Sequence, residues 1–459
     1  MNILHKIKKA NLLKILQLSI TTDSARKLPL SYEKGMRGTF HLFKNLSNLN
    51  NCDSYLCNFE NEIVFFNIKT KKQIKVESFE LLSIFNSYDI ILIEIFKKPL
   101  KNTNILKDFI INLIKNKSIK IYIEHDFLPR GRRTFDTAFY PQLLQSCDYI
   151  SLYSYQNNYI EKVFSKFVDF NHRRNPYFKG RCYIDTKNLF NDIEDSFIIN
   201  KNKYTIVESG SYEICKGHDN IGLFLKHILK NFNDKYCYLH YGLKFNPQTY
   251  HSFFKSIELL KMRTYKNSTI KAFPYDFNND LTFSERIVLL GEYEQNFNIE
   301  LLKKTKYSIS LMTPKIKQVN KYVTDRFELA QIEKCLFTLP ILEEGFLKLF
   351  VNMPQEIKNC FLKFNIDSPE VSMINLKKEM EYLDSNNAEY NKRRQRIINF
   401  IFHENDIRIF ENLLTNILKS GKNTLFTIDK LNSEKIFLKD FGLTANIFKK
   451  LFLEKGDLK

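Results

Sequence analysis

The sequence predicts an α/β protein with parallel sheets, divided into two domains. The chain has 459 residues, whereas a single hydrophobic core stops growing at about 250–300 residues. Short β-branched and aromatic runs alternate with longer helical patterns along most of the chain, which is typical of parallel strands joined by helices. A polar, weakly periodic stretch over residues 185–203 places the domain boundary near residue 195.

The predicted strands form one group in each half of the chain. Those in the first half are residues 12–20, 90–96, 119–123 and 149–153. Those in the second half are residues 204–208, 236–241, 269–273, 287–291, 307–312 and 339–342. A helical stretch over residues 375–402 follows the last strand. We therefore expect two sheets of the nucleotide-binding kind, in an N-terminal domain over residues 1–195 and a C-terminal domain over residues 196–375. Residues 376–418 are predicted as C-terminal helices, and residues 419–459 as an extension of unassigned role.

The charge balance indicates a polyanionic partner. Lys and Arg total 70 against 51 Asp and Glu, a formal net charge of +19, and this excess is larger than solubility requires. We prefer nucleic acid to an anionic membrane as the partner. The longest apolar run, residues 90–96, is interrupted by Glu94 and is far shorter than the roughly 18 residues of a membrane span. The basic N-terminus is interpreted as an arm entering the first strand.

The cysteines indicate a reducing compartment. There are eight, and they are scattered without any CxxC pair or metal-like cluster. We expect reduced, mostly buried thiols and a cytoplasmic location. The pattern also predicts no dedicated metal site.

The segment ELAQIEKCLFTLPIL, residues 328–342, resembles the nucleotide-sugar end of a glycosyltransferase. Glu328 and Glu333 lie on one predicted helix, before a short turn and a strand. Carboxylates near a helix start can accept hydrogen bonds from ribose and hexose hydroxyls, so we assign Glu333 to ribose and Glu328 to the sugar. The alternative is an amphipathic helix whose glutamates are solvated.

His125 and Asp126 directly follow a predicted strand, the usual place for reactive groups in a doubly wound sheet. We interpret them as catalytic residues. The alternative is an aspartate that caps the next helix or turn, with the histidine packed beside it.

Two short glycine-containing segments could bind the donor phosphates. The Lys216 ammonium could stabilise the charge that develops on a leaving nucleoside diphosphate, and Gly217 would allow close approach. Gly35 and Gly38 could form a loop whose backbone amides face the donor. Each segment could also be only a tight turn.

Two basic patches are candidates for contact with DNA. The first follows the His-Asp pair and contains Arg130, Arg132 and Arg133. The second mixes cations with aromatic residues that could stack on a base; it contains Phe170, His172, Arg173, Arg174, Tyr177, Phe178, Lys179 and Arg181. The alternative for both is a solvated surface. We prefer the solvated reading for the basic helix with Lys392, Arg393, Arg394 and Arg396.

An ordered set of motifs resembles the α-glucosyltransferases of T-even bacteriophages over roughly residues 12–418. The motifs are EKGMRGTFHLFKNL (33–46), IKIYIEHDFLPRGRR (119–133), CKGHDNIGLF (215–224), IVLLGEYEQNFNIELLKKTKYSISL (287–311), ELAQIEKCLFTLPIL (328–342) and NKRRQRIINFIF (391–402). The resemblance implies the GT-B architecture, in which two Rossmann-like domains face each other across a cleft. The acceptor would bind the N-terminal domain and the donor the C-terminal one, with the last helices returning toward the first domain.

The same resemblance implies a reaction. It is the transfer of a sugar from a UDP-sugar, with UDP-glucose expected, to hydroxymethylcytosine in double-stranded phage DNA within a bacterial host. Anomeric configuration would be retained and the target base flipped out of the duplex. No tightly bound metal is expected, although a divalent ion could accompany the diphosphate. His125 would contact the transferred sugar, and Asp126 would orient or deprotonate the acceptor hydroxyl.

The sequence departs from the family at two places, and two other functions stay open. Ser211 stands where the family has an arginine, and Lys334, Cys335 and Leu336 replace small residues after the ribose-binding glutamate. One alternative function is that of a glycosyltransferase of the same architecture that acts on a lipid-linked or surface glycan. The other alternative function is that of a DNA-binding protein with a degenerate transferase fold. The oligomeric state is not predicted.

Overall fold

The chain forms two compact units in the part that the computed structural model describes. The described residues are 13–21, 46–49, 51–59, 62–96, 104–124, 143, 146–152, 177–179, 183–209, 220, 221, 223, 224, 227, 236–241, 287–289, 295–312, 327–350 and 353–420. The first unit contains the residues up to Asp185 and a C-terminal segment that begins at Asn405. The second unit contains Thr186–Glu404.

The described helices connect or cover the strands. They are α1 (Leu81–Asn86), α2 (Asn104–Lys115), α3 (Thr186–Ile198), α4 (Gln295–Lys304), α5 (Leu329–Phe337), α6 (Glu344–Lys348), α7 (Gln355–Lys358), α8 (Pro369–Ser385), α9 (Asn387–Asn405) and α10 (Ile407–Ser420). Residue 195, the predicted boundary, lies within α3.

The first unit is built on an eight-stranded sheet with the order β4-β3-β2-β1-β5-β6-β7-β8. Its strands are β1 (Ile15–Thr21), β2 (Cys52–Asn58), β3 (Ile63–Asn67), β4 (Gln73–Val76), β5 (Ile90–Phe96), β6 (Ile119–Glu124), β7 (Tyr149–Leu152) and β8 (Tyr177–Lys179). The run from β2 to β8 through β1 is parallel, and β3 and β4 add an antiparallel hairpin.

Helices cover both faces of this sheet. On one face, α1 and α2 pack against the strands, and α2 buries Leu106, Phe109, Ile110 and Leu113. That spacing of three, one and three residues is the apolar stripe of an amphipathic helix. On the other face, α10 buries its own apolar stripe against alternate residues of the same strands. Because both faces are covered, the central strands are mostly apolar, and their polar residues Gln17, Ser19 and Glu94 are buried.

The second unit contains a fully parallel six-stranded sheet with the order β11-β10-β9-β12-β13-β14. Its strands are β9 (Asn202–Ser209), β10 (Cys237–Tyr241), β11 (Ile287–Leu289), β12 (Thr305–Ser310), β13 (Leu339–Glu343) and β14 (Leu362–Phe364). All residues of β12 and β13 are buried. The chain order reverses between β9 and β12, which makes that pair the topological switch point of the sheet.

The predicted α/β class with parallel sheets is confirmed, and most predicted strands match within a few residues. The prediction for 90–96 coincides with β5. The strands β2, β3, β4, β8 and β14 were not predicted, and the predicted strand 269–273 lies outside the described residues. In β2, buried polar residues concealed the pattern: the Ser54 hydroxyl donates to Gln17 Oε1 at 2.8 Å.

The predicted helical stretch over 375–402 contains two helices, α8 and α9, which meet at a break at Asn386. Asn386 has φ −121° and ψ 78°, which is outside the helical region. Its side-chain oxygen accepts a hydrogen bond from the Glu389 backbone N–H at 3.0 Å. Asn386 therefore caps the start of α9 and separates the two helices.

The solvated reading of the basic helix is wrong for Arg394, which has 0% exposure on α9. Its guanidinium donates to Ser196 Oγ at 2.7 Å and to the Leu336 carbonyl oxygen at 3.1 Å. It also lies 4.1 Å from the Phe197 ring centroid. Arg394 thus binds the C-terminal ends of α3 and α5, where carbonyl groups lack helical partners.

Lys201, like Arg394, binds carbonyl groups at the C-terminal ends of helices. Its ammonium donates to the carbonyl oxygens of Lys303 at 2.6 Å and Phe337 at 2.8 Å, at the ends of α4 and α5. Burial, and then the charges of Arg394 and Lys303, lower the pKa of Lys201 to about 6.

Five cysteines are free thiols in buried positions, as predicted: Cys52, Cys57, Cys147, Cys335 and Cys360. Burial raises the pKa of the Cys52 thiol to about 12, so its reactive thiolate is suppressed. No described helix is long and apolar enough to cross a membrane. Within the described ranges, no group of three or more His, Cys, Asp or Glu residues could hold a metal ion.

The lowered pKa of Lys201 predicts a pH-dependent stability. Lys201 holds its proton up to an ordinary pKa of 10.5 in the unfolded chain but only to about 6 in the fold. Unfolding therefore takes up a proton between these values, and the free energy of unfolding rises with pH, by at most about 1.4 kcal/mol per pH unit from this group. We expect Lys201→Met to flatten the rise seen by denaturant titration between about pH 6.5 and 9.

The control for this prediction is Lys392→Met, since the side chain of Lys392 is exposed on α9. The control should keep the wild-type slope. Equal slopes in wild type and Lys201→Met would contradict the prediction.

Candidate functional site at the carboxyl edge of the second sheet

The second sheet presents one edge at which its parallel strands all end. β9 ends at Ser209 and β12 ends at Ser310, on the two sides of the switch point. Helix α5 connects β12 to the parallel strand β13, so its N-terminus lies at this same edge. In open α/β sheets, ligands bind outside the carboxyl ends of the strands at the switch point. The edge around β9, β12 and the start of α5 is therefore the candidate site.

Helix α5 is almost wholly buried, although it carries several polar side chains. Of its nine residues, all except Ala330 are buried, and these include Gln331, Glu333 and Lys334. A buried polar group without a hydrogen-bond partner costs about 1–3 kcal/mol. The orientation of α5 therefore depends on the partners that these three side chains find.

Gln331 fixes the start of α5 against the end of β12. Its Nε2 donates to Ser310 Oγ at 3.1 Å and lies 3.0 Å from Met312 Sδ. Its Oε1 accepts from the Glu328 backbone N–H at 3.0 Å, which closes the first turn of the helix.

Glu333 faces α4. Its carboxylate accepts a hydrogen bond from the side-chain amide of Asn298, which has 0% exposure. Glu333 itself is only 4% exposed. The carboxylate is thus held in place by a buried donor from a neighbouring helix.

Lys334 faces the sheet and forms a buried ion pair with Glu208 of β9. The Lys334 ammonium also donates to the Ile309 carbonyl oxygen of β12 at 2.8 Å. The same Glu208 oxygen accepts from the Ser209 backbone N–H at 2.9 Å. Lys334 therefore connects α5 to both strands of the switch point.

Glu328 lies immediately before α5, as its N-cap residue, and is half-buried. A carboxylate at this position is favoured by the positive end of the helix dipole. The prediction placed Glu328 and Glu333 on one helix. Glu333 does lie within α5, whereas Glu328 precedes the helix in an extended conformation, with φ −74° and ψ 164°.

Most of the other predicted site residues lie outside the part of the chain that the structure describes. His125 and Asp126 follow directly after β6, which lies inside the first sheet between β5 and β7. Lys179 is the last residue of the edge strand β8. The predicted residues outside the described ranges are His125, Asp126, Gly35, Gly38, Lys216, Gly217, Arg130, Arg132, Arg133, Arg173 and Arg174.

The sequence prediction missed three residues of this site. Asn298, Lys334 and Glu208 were not assigned a role in binding, although all three are buried here. The available signal was an amide, a lysine and a glutamate inside otherwise apolar segments, since buried polar residues require a specific partner.

A scan against protein-family models finds no match, and a search of curated proteins finds none either. The solved structures do show likenesses. An alpha-glucosyltransferase in complex with UDP-glucose and DNA containing an abasic site has a TM-score of 0.61 at 14% identity, covering 88% of this chain and 99% of that chain.

Two further solved complexes have similar likenesses to this chain. An alpha-glucosyltransferase in complex with UDP has a TM-score of 0.60 at 14% identity. Another, in complex with UDP and a 13-mer DNA containing an HMU base, has a TM-score of 0.58 at 15% identity. Both likenesses cover 88% of this chain and 99% of the other chain. The fold is that of alpha-glucosyltransferase. At this level of identity the likeness to alpha-glucosyltransferase establishes the fold, and the activity has to be argued from the site.

The contact between Asn298 and Glu333 gives a stability prediction. Asn298→Ala leaves the buried carboxylate without this donor, so we expect the free energy of unfolding to fall by about 1–3 kcal/mol. Denaturant titration followed by circular dichroism measures the change.

Gln395→Ala is the matched control, because Gln395 also makes an amide hydrogen bond, to Asn399 at 2.9 Å, but on an exposed helix surface. The control should change stability by less than about 0.5 kcal/mol. A similar small change for Asn298→Ala would contradict the account of Glu333.

Proposed function

We propose that the protein is a glycosyltransferase that transfers a sugar from a UDP-sugar, with UDP-glucose as the first candidate, to a hydroxymethylated cytosine in double-stranded DNA. The observation that carries the proposal is the carboxylate-bearing helix α5, buried at the switch point of the second sheet. The fold shared with alpha-glucosyltransferase supports it. The structures of that protein were determined with UDP, UDP-glucose and DNA.

The donor is proposed to bind at the carboxyl edge of the second sheet. The Glu333 carboxylate, held by Asn298, would accept hydrogen bonds from the ribose hydroxyls. Glu328, the half-buried N-cap residue of α5, would contact the sugar. Lys216 and Gly217, in the segment that follows β9, would bind the diphosphate. Gly35 and Gly38 would present backbone amides to the donor.

The acceptor is proposed to bind the first unit, with catalysis by the residues that follow β6. Asp126 would orient or deprotonate the acceptor hydroxyl, and His125 would contact the transferred sugar. The acceptor oxygen forms the new bond to the anomeric carbon while the bond to the UDP oxygen breaks. In front-face attack the departing phosphate helps Asp126 to remove the acceptor proton, and the anomeric configuration is retained. Any divalent ion would be accessory to the diphosphate.

The net charge of +19 supports DNA as the acceptor. The proposed contacts to the phosphate backbone are the predicted basic residues Arg130, Arg132, Arg133, Arg173, Arg174 and Lys179. Since the reacting group lies on a base, we propose that the target nucleotide is flipped out of the duplex.

The reaction itself is the most direct test of the proposed function. The protein is incubated with a panel of UDP-sugars and with duplex DNA that contains hydroxymethylcytosine or unmodified cytosine, and the digested nucleosides are weighed by mass spectrometry. We expect one sugar to be added to hydroxymethylcytosine only, with UDP-glucose as donor. Asp126→Asn serves as the control for chemistry and should lower the rate about 10²–10⁴-fold.

Other outcomes of this experiment point to other functions. Hydrolysis of a UDP-sugar without a DNA adduct would contradict the DNA acceptor and favour a glycan. Neither adduct nor hydrolysis, with DNA still bound, would favour a binding protein that has the transferase fold.

A further inference from the structure

The buried ion pair between Lys334 and Glu208 has a position that structural stability alone does not explain. We infer that it is a positioning pair for the donor site, which holds the ribose-binding helix against the strand that leads to the phosphate-binding segment. This inference rests on the proposed function. Lys334 and Glu208 would not touch the donor, and they would act through Glu333 and through the end of β9.

The first support is burial at the switch point. The side chains of Lys334 and Glu208 are 2% and 4% exposed. The Lys334 ammonium contacts the Glu208 carboxylate on β9 and the Ile309 carbonyl oxygen on β12. These are the two strands between which a ligand of an open α/β sheet binds.

The second support is the place of each partner in the chain. Lys334 directly follows Glu333, the proposed ribose ligand. Glu208 is the last residue but one of β9, and the chain continues from Ser209 into the segment that contains Lys216 and Gly217. The ion pair therefore joins the two chain segments that would bind the ribose and the diphosphate.

The third support is the geometry of a helix. Neighbouring residues on α5 point about 100° apart, so Lys334 is fixed to the sheet while Glu333 is fixed to α4 by Asn298. Two contacts in different directions prevent rotation of α5 about its axis. A binding constellation has to be held within about 0.5 Å and 10–20° of its productive geometry. Lys334 supplies one of the two restraints that set the direction of the Glu333 carboxylate.

The cost of burying two charges also favours a positioning role for this ion pair over a purely stabilising one. Removing two charges from water costs several kcal/mol per ion, and replacing a buried pair by apolar residues is often neutral or stabilising. A chain under selection for stability alone has no need of this pair. A requirement for one fixed orientation of α5 gives a reason for it.

The same unit contains a matched control. Lys306 and Asp384 form a buried ion pair at 2.9 Å, with side chains 8% and 10% exposed. Lys306 is the second residue of β12 and therefore lies toward the amino edge of the sheet, opposite the candidate site. The two pairs are alike in burial and chemistry but differ in their distance from the proposed donor.

The test compares UDP affinity and thermal stability across both pairs. Lys334→Met, Glu208→Gln and the double variant are measured by titration calorimetry with UDP and by thermal unfolding, beside Lys306→Met, Asp384→Asn and their double variant. We expect each single change at Lys334 or Glu208 to weaken UDP binding about tenfold or more. The double variant should bind UDP at least as tightly as whichever single variant binds it less tightly. The control variants should lower Tm but keep UDP affinity within about twofold.

Each other outcome overturns a specific statement. Wild-type protein that fails to bind UDP would overturn the proposed function, and the role of the pair with it. If the wild type binds UDP and Glu208→Gln binds it with unchanged affinity, the positioning role alone is overturned. The same follows if variants of the two ion pairs lose equal UDP affinity at an equal loss of Tm. Glu208→Gln keeps the side-chain shape, so it carries the test if Lys334→Met does not fold.

Discussion

The arrangement of the second unit depends on the burial of three polar side chains of α5 beside the switch point of its sheet. Each side chain reaches a partner on a different element: Gln331 on β12, Glu333 on α4 and Lys334 on β9. Because a buried polar group without a partner is costly, few orientations of the helix satisfy all three. The apolar residues of α5 supply the energy of burial, and the polar residues decide its rotation and register.

This constraint explains how a carboxylate can be directed before any ligand is present. A glutamate on a solvated helix loses side-chain entropy when it binds a sugar, whereas Glu333 is already held by Asn298. The opposite ends of α4 and α5 are fixed by Lys201, whose amine contacts their last carbonyl groups. The two ends of α5 thus differ in role. One forms the edge of the proposed donor site, and the other is anchored by the buried side chains of Lys201 and Arg394.

The sequence predicted those features that depend on local patterns. Largely apolar runs such as β5, and the alternation of strands and helices, follow from periodicity, so the α/β class could be predicted. Features that depend on distant partners could not. Arg394 sits among polar neighbours on α9, and nothing local shows that Ser196 and Leu336 supply its hydrogen bonds. Likewise, Glu333 and Glu328 could be proposed from their spacing, but the partner of Lys334 lies 126 residues away on β9.

The central claim is that the carboxyl edge around α5 binds the nucleotide of the donor. A crystal structure of the protein with UDP tests this claim most directly. We predict that the ribose hydroxyls lie within hydrogen-bonding distance, about 2.6–3.2 Å, of the Glu333 carboxylate, with the diphosphate beyond the carboxyl end of β9. UDP bound at another place, or a ribose turned away from Glu333, would contradict the account.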